Sequence, residues 1–248
     1  MLEVSGLTRR FGGLLATDDV ALGVSMGEIH VVIGPNGAGK TTLINMLSGD
    51  LEPSAGKIVL DGRDITGMSP EERSLLGVGR SYQKTNIFRS FTVRENCRLA
   101  AQSRAPHPWK LLRGAESWGE TNRRATQAIA LAELDGREQR IAGTLSHGEQ
   151  RQLEIALSLA TEPKLLLLDE PLAGMGAEES QRMVGLIRKL RGDHAILLVE
   201  HDVDAVFALA DTLTVMVEGR ILASGDPPEI RRNPEVQAAY LGEDDVHG

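Results

Sequence analysis

Hydrophobic positions divide the chain into two regimes. Near the start they alternate with polar residues: Leu2, Val4 and Leu7, then Val20, Leu22 and Val24. A period of two predicts strands with one face on a core and one in solvent, the pattern of an antiparallel sheet. Later apolar runs do not alternate. "IHVVI" before the first glycine loop, the strand over 164–168 and the strand over 195–200 are short, continuous and aliphatic. Such runs predict parallel strands buried on both faces. Helical spacing fills the intervals. "TTLINMLSG" is a helix that Gly49 stops. "SPEERSLLG" is a short helix with Pro70 at its first position and a Ser69/Glu72 capping box, and "TVRENCRLAAQ" begins with a Thr92/Glu95 box. "GKIVLDGRDI" is a hairpin on an Asp-Gly turn, and "VGRSYQ" is a strand.

Residues 104–118 carry both tryptophans and no period. A long helix is predicted from about Glu120 to Leu134. Another begins at Ser146, whose capping partner is Glu149. Helices over 177–190 and 202–210, a terminal hairpin in "LTVMVEGRILASG", and short helices around Pro228 and Pro234 complete the chain. A β-rich start thus leads into a βα unit, then an all-helical insert of about 70 residues, then a return to βαβ. The class is α/β, with a parallel sheet as its centre.

The first glycine loop carries chemistry. "GPNGAGKT", Gly34 to Thr41, satisfies G-x-x-x-x-G-K-[ST], and it lies between a predicted strand and a predicted helix. Gly34, Pro35, Asn36, Gly37, Ala38 and Gly39 form a loop whose N–H groups can turn inward around a β-phosphate. Lys40 adds a positive charge at the β- and γ-phosphates. Thr41 offers a hydroxyl to Mg²⁺, and Thr42 reaches the α-phosphate. "KLLLLDEP" ends a buried strand in Asp169 and Glu170, at the carboxyl edge of the sheet where ligands sit. Asp169 is placed to hold Mg²⁺, and Glu170 to act as general base on a water attacking the γ-phosphate. His201, ending the strand in "LLVEHDVD", is placed to contact the γ-phosphate and orient that water. A strand-end histidine taken alone is an ordinary surface residue. Gln83 follows a strand and can reach both Mg²⁺ and the water. Phe11, in the glycine turn "RRFGG", can stack on adenine or fold onto the core.

A second anion seat is harder to explain. In "TLSHGEQ", Ser146 caps a helix whose first amides, at Gly148 and Glu149, can face a phosphate. The nucleotide of this chain is already surrounded by Gly34–Thr42, Gln83, Asp169, Glu170 and His201. The second seat is therefore expected to serve a nucleotide held by a facing subunit.

Composition narrows the class. Of 248 residues, 41% are hydrophobic, 25% charged and 3% aromatic, so the core is aliphatic and the chain is expected to be globular. No apolar run approaches the ~20 residues of a membrane span, and "MLEVSGLTRR" lacks the apolar region of a secretory signal. One cysteine, Cys97, excludes a disulfide framework within the chain. A net charge of −8 disfavours general binding to nucleic acid or anionic lipid.

The motifs "GPNGAGKTT", "SYQ", "LSHGEQ", "LLLLDEP" and "VEHD", in this order and over nearly the whole chain, resemble the nucleotide-binding subunits of ABC (ATP-binding cassette) transporters. The resemblance implies a P-loop NTPase fold: a RecA-like core with an antiparallel β subdomain, about 1–83 and 163–248, and an inserted α-helical subdomain, about 84–162. It implies ATP and Mg²⁺ as ligands, Gln83 as the Q-loop residue, Asp169 and Glu170 as Walker B aspartate and catalytic base, His201 as the switch histidine and Phe11 as the adenine stack. "EPLAGMGAEE", "GRSYQKTNIFRSFTVRENCRLA" and "NPEVQAAYLGE" look like the ATPases of branched-chain amino acid importers. Urea or amide uptake and lipopolysaccharide export are the alternatives within transport.

The implied partners are a second ATPase subunit, either a second copy of this chain or, favoured by that resemblance, a paralogue, and membrane permease subunits received by the groove around Thr85–Arg94. The implied location is the cytoplasmic face of the membrane. A soluble ABC ATPase acting on ribosomes or DNA would carry two cassettes or a long coiled coil. A guanine-reading Asn-Lys-x-Asp is also missing. Two positions depart from the family: His147 stands where glycine is usual in the LSGGQ motif, and Gly176 stands where the D-loop usually has aspartate. The aspartate contact across a dimer is therefore not carried over.

Overall fold

The computed structural model describes residues 1–81, 86–104 and 119–241. Strands β1 (Leu2–Phe11), β2 (Leu14–Val24), β4 (Ala55–Leu60) and β5 (Arg63–Asp64) form an antiparallel sheet in the order β2-β1-β4-β5. A second sheet runs β10-β9-β3-β8-β7-β6, from β3 (Ile29–Ile33), β6 (Val78–Arg80), β7 (Leu165–Asp169), β8 (Ala195–Val199), β9 (Thr212–Val217) and β10 (Arg220–Gly225). It is parallel except for the β9–β10 hairpin.

The two predicted patterns correspond to these two sheets. In β1 the alternating Leu2, Val4 and Leu7 are buried, and Val20 and Val24 oppose them from β2. Both strands extend past the apolar positions to a tip at Phe11 and Leu14, where backbone pairing continues without a buried face. The β4–β5 turn has positive φ at both Asp61 (49°) and Gly62 (77°), as a two-residue hairpin requires.

Every residue of β3, β7 and β8 is buried. Alternate side chains enter two different cores. Val32, Leu165, Leu167, Ala195, Leu197 and Val199 pack toward the antiparallel sheet and helix α1 (Lys40–Ser48). Val31, Leu166, Leu168, Ile196 and Leu198 pack toward the helices on the other face. Burying one such leucine stabilises the fold by about 1.5–3 kcal/mol, so the continuous aliphatic strands are what hold the two layers to one sheet.

The remaining helices are α2 (Pro70–Leu75), α3 (Val93–Gln102), α4 (Gly119–Leu131), α5 (His147–Leu159), α6 (Ala177–Leu190), α7 (Val203–Leu209), α8 (Pro227–Arg232) and α9 (Pro234–Val236). Capping boxes at Ser69, Thr92 and Ser146 start α2, α3 and α5 as expected. Helix α4 stops at Leu131, three residues short of the expected end. Glu133 adopts φ 57° and the Leu134 N–H donates to Ile129 O, a Schellman closure with glutamate in the usual glycine position. The predicted Gly49 stop of α1 is present, with φ 90°. A buried arginine reinforces it: Arg73 Nη1 donates to Met46 O and to Leu47 O (2.9 Å), satisfying carbonyls that a helix end leaves open.

Helices α3, α4 and α5 share one core, from Val93, Cys97, Ala125, Ile129, Leu153 and Ala156. Ser158 Oγ on α5 donates to Arg80 O (2.8 Å) and joins this helical layer to β6. Among the described residues no helix is long and apolar enough to cross a membrane.

Candidate functional site

Strand register places the chemistry. Val32 pairs with Val199, and Val199 with Asp169, so β3, β8 and β7 end level with one another. The glycine loop, the Asp169–Glu170 pair and the Glu200–His201 pair therefore leave the same carboxyl edge of the sheet, where open α/β sheets bind ligands.

The glycines of the loop are required by close approach. A Cβ on Gly34 would lie 2.1 Å from Met216 O. One on Gly39, which has φ 98°, would lie 2.4 Å from Ala16 O. Gly39 starts α1 without any side-chain cap, and the first turn contains no acidic residue. The opening N–H groups of a helix have no partner within it, so this uncapped start presents donors and the positive end of the helix dipole to the cleft. Lys40 is largely buried, and its Nζ donates to Gly34 O (2.6 Å) and Pro35 O (3.0 Å). Burial pushes its pKa down, against the opposing effect of Glu170 and Asp169.

The cleft in front of this loop has a volume of about 600 Å³. Asn36 to Thr42 line it together with Glu170, Glu218, Phe11 and Ala16. Phe11 is 45% exposed, with the Arg9 guanidinium 4.7 Å from its ring centre. Its ring therefore faces the phosphate-loop cleft and is not folded into the core.

Asp169 is only 2% exposed. Its Oδ2 lies 3.6 Å from Arg80 Nη2, and its Oδ1 has no hydrogen-bond partner among the described residues. Burial pushes its carboxyl pKa up, Arg80 pulls it down, and Glu170 adds to the rise. An orphaned, buried carboxylate oxygen beside the Thr41 hydroxyl's helix is a donor set that fits a hard divalent cation. Arg80 is held by Ser48 Oγ (2.7 Å), Asp50 Oδ2 (2.6 Å) and Asn45 Oδ1 (2.7 Å), so its charge stays beside Asp169.

Glu170 follows with φ 49°, and its N–H donates to Val199 O (2.9 Å). His201 is exposed, with Nδ1 3.9 Å from Glu170 Oε1 and 3.8 Å from Glu200 Oε2. Two residues that the motifs did not single out thus complete this edge, Arg80 and Glu200. Gln83 lies outside the described residues.

The second seat is built as a separate cleft, lined by Ser146, Gly148, Glu149, Gln152, Met175, Glu179, Arg182 and Met183. The Ser146 N–H donates to Glu149 Oε2 (3.0 Å) and the Glu149 N–H to Ser146 Oγ (3.2 Å). The Glu149 amide is thereby satisfied within the chain, and a phosphate would take it only by displacing the Ser146 hydroxyl. The carboxylate of Glu149 also accepts from Arg137 Nε (2.7 Å). Burial pushes the Glu149 pKa up, but Arg137, the Ser146 amide and Arg140 outweigh it and hold it below the usual value. His147 occupies the first helical position without positive φ, and its Cε1 lies 3.4 Å from where a Cβ on Gly174 would be. The departure at position 147 is thus sterically accommodated, against the turn that follows Glu170.

The ABC transporter family profile matches residues 17–173, and the branched-chain amino acid ATP-binding cassette transporter profile matches residues 220–246. The chain is 43% identical to the high-affinity branched-chain amino acid transport ATP-binding protein BraF of Pseudomonas aeruginosa, covering 98% of each. It is 40% identical to the corresponding protein LivG of Escherichia coli, again over 98% of each. Among solved structures, an ATP-binding cassette of an ABC transporter in its ADP conformation superposes with a TM-score of 0.86 at 29% identity, over 98% of both chains. A nucleotide-free ATP-binding cassette gives the same TM-score over 97% of this chain and 98% of that one. With the phosphate loop, the paired acids and the histidine on one edge of the sheet, these likenesses establish that the chain belongs to the ABC transporter family, as an ATP-binding cassette.

Proposed function

We propose that this chain is the ATP-hydrolysing motor of an importer for branched-chain amino acids. Support for the solute comes from the relatives named above, which are branched-chain amino acid transport ATPases along nearly their full length. The observation that carries the catalytic reading is the level termination of β3, β7 and β8, which brings the phosphate loop with Lys40, the Asp169–Glu170 pair and His201 to one edge of the sheet, with Lys40 and Glu170 lining the same cleft. The uncapped α1 start and the loop amides bind the β-phosphate. Lys40 exchanges its two loop carbonyls for β/γ-phosphate oxygens, and Thr42 contacts the α-phosphate. Phe11 stacks on the base. A magnesium ion held by Thr41 and Asp169, with Gln83 reaching it, would neutralise charge on the β- and γ-phosphates. Glu170 takes the proton from the attacking water, and His201 donates to the γ-phosphate and orients that water.

Ser146 and the amides of its helix start line a separate cleft that shares no lining residue with the phosphate-loop cleft. They serve the γ-phosphate of a facing ATPase subunit, so hydrolysis follows closure of a two-subunit sandwich. The facing subunit is a paralogue. Residues 84–162 act as the helical subdomain against a core of 1–83 and 163–248. Their exposed Phe88 and Phe91, stacked at 5.4 Å between ring centres, lie in the segment that receives the permease at the cytoplasmic side of the membrane. Reconstitution with the permease that co-purifies with this chain tests the reading. Uptake of leucine, isoleucine or valine should require ATP and be abolished by Lys40→Ala. Uptake of an amide or urea, with none of these amino acids, would contradict the solute assignment.

A further inference from the structure

Glu200 directly follows the wholly buried strand β8 and is itself 0% exposed. A carboxylate removed from water is costly unless its oxygens are hydrogen-bonded. Both are: Oε1 accepts from the Leu172 N–H (2.9 Å) and Oε2 from the His201 N–H (3.1 Å). Its partners are backbone amides of two different turns, one following β7 and one following β8. Burial pushes the Glu200 pKa up, while the amides of Leu172, His201 and Asp202 oppose that rise.

Both turns carry chemistry. Glu170 has φ 49°, a left-handed conformation that a non-glycine residue keeps only when its surroundings impose it. One restraint precedes the turn, the Glu170 N–H to Val199 O bond (2.9 Å). A second closes it, Ala173 N–H to Glu170 O (3.2 Å). The Glu200 carboxylate supplies the third, at Leu172. The Glu200 N–H in turn donates to Val32 O (3.3 Å), on the strand that leads into the phosphate loop. Its other oxygen holds the amide of His201, whose Nδ1 lies 3.9 Å from Glu170 Oε1.

We propose that Glu200 is a positioning residue for ATP hydrolysis: a buried carboxylate that clamps the turn of the general base to the turn of the switch histidine and so fixes the separation of Glu170 and His201. This rests on the roles proposed above for those two residues. Geometry makes the anion specific. Glutamine would offer one oxygen to one amide and direct its NH₂ donors at the other. Aspartate keeps the charge but withdraws it by about 1.5 Å, so it cannot reach both amides.

Steady-state hydrolysis by the assembled transporter tests this with Glu200→Gln and Glu200→Asp, each alone and in a His201→Ala background. Glu200→Asp guards against a folding failure of the neutral variant. Expected is a fall in kcat of about tenfold or more with KM for ATP close to wild type, and a much smaller further fall when His201 is already alanine, because residues that act as a unit are non-additive. Equal losses in both backgrounds, or lowered thermal stability and ATP affinity with kcat preserved, would overturn the proposal. So would wild-type kcat in both Glu200 variants while Glu170→Gln and His201→Ala are inactive. If Glu170→Gln and His201→Ala themselves turn over normally, the underlying role assignment fails and this proposal falls with it.

Discussion

Replacing Gly148 by alanine separates stability from function in a single residue. Gly148 is the second residue of α5 and is buried without positive φ, so alanine fits its backbone. Alanine at a helical position stabilises by up to about 1 kcal/mol relative to glycine. Against this, the new Cβ would lie 2.8 Å from Glu179 Oε1 and 3.0 Å from its Cδ, closer than side chains approach. Glu179 must swing aside, which sacrifices its 3.4 Å contact with Ser146 Oγ, a weak bond at the surface. The net expectation for the isolated chain is a thermal midpoint unchanged or raised by about 2–4 °C. The same methyl group stands where a phosphate of the facing subunit would approach the helix start. One lost phosphate contact of this charge-assisted kind is worth about 1.5–3 kcal/mol, or roughly 10- to 150-fold in turnover. Differential scanning of the chain and ATP hydrolysis by the assembled transporter read the two effects separately. A Gly148→Ala transporter that hydrolyses ATP at the wild-type rate would refute the idea that α5 starts at a partner's nucleotide.

Two further outcomes concern the fold. Leu197 is fully buried in the centre of β8, between α1 and the antiparallel sheet, so Leu197→Ala should cost about 2–5 kcal/mol in urea unfolding. His30 is buried on β3 with Nε2 2.7 Å from Thr214 Oγ1 and Nδ1 2.9 Å from Gly23 O. Burial pushes its pKa below 6.5, against Glu28 and the Gly23 carbonyl. A base held neutral by the fold is protonated more readily in the unfolded chain, so its contribution is present above pH 6.5 and is lost as pH falls below it. The urea midpoint should therefore decline through that range, and His30→Gln should flatten the decline.

Most of the candidate site was legible because its motifs depend on local backbone geometry. The loop from Gly34 to Lys40 needs glycine where Met216 and Ala16 carbonyls approach, and that need is written directly as residue type. The paired acids and His201 stood out as candidates because each closes an aliphatic run whose burial sets where it stops. Glu200 did not, because a carboxylate beside a strand-end histidine looks the same in sequence whether it is solvated or clamped between two turns. Arg80 was missed for the same reason: its partners Asn45, Ser48 and Asp50 come from α1 and the turn after it, brought near by tertiary packing. The early end of α4 was hidden because glutamate, not glycine, takes the left-handed closing position at residue 133. The capping box at Ser146 was legible, but its consequence for the Glu149 amide required the bond itself.

The central claim is that Glu170, held at the carboxyl edge beside Asp169 and His201, is the base that activates water against ATP. Steady-state hydrolysis by the assembled transporter carrying Glu170→Gln, with equilibrium ATP binding by the purified variant chain, tests it most directly. The account predicts turnover reduced by about 10²- to 10⁴-fold with ATP still bound as tightly as by the wild-type chain; hydrolysis at the wild-type rate would contradict it.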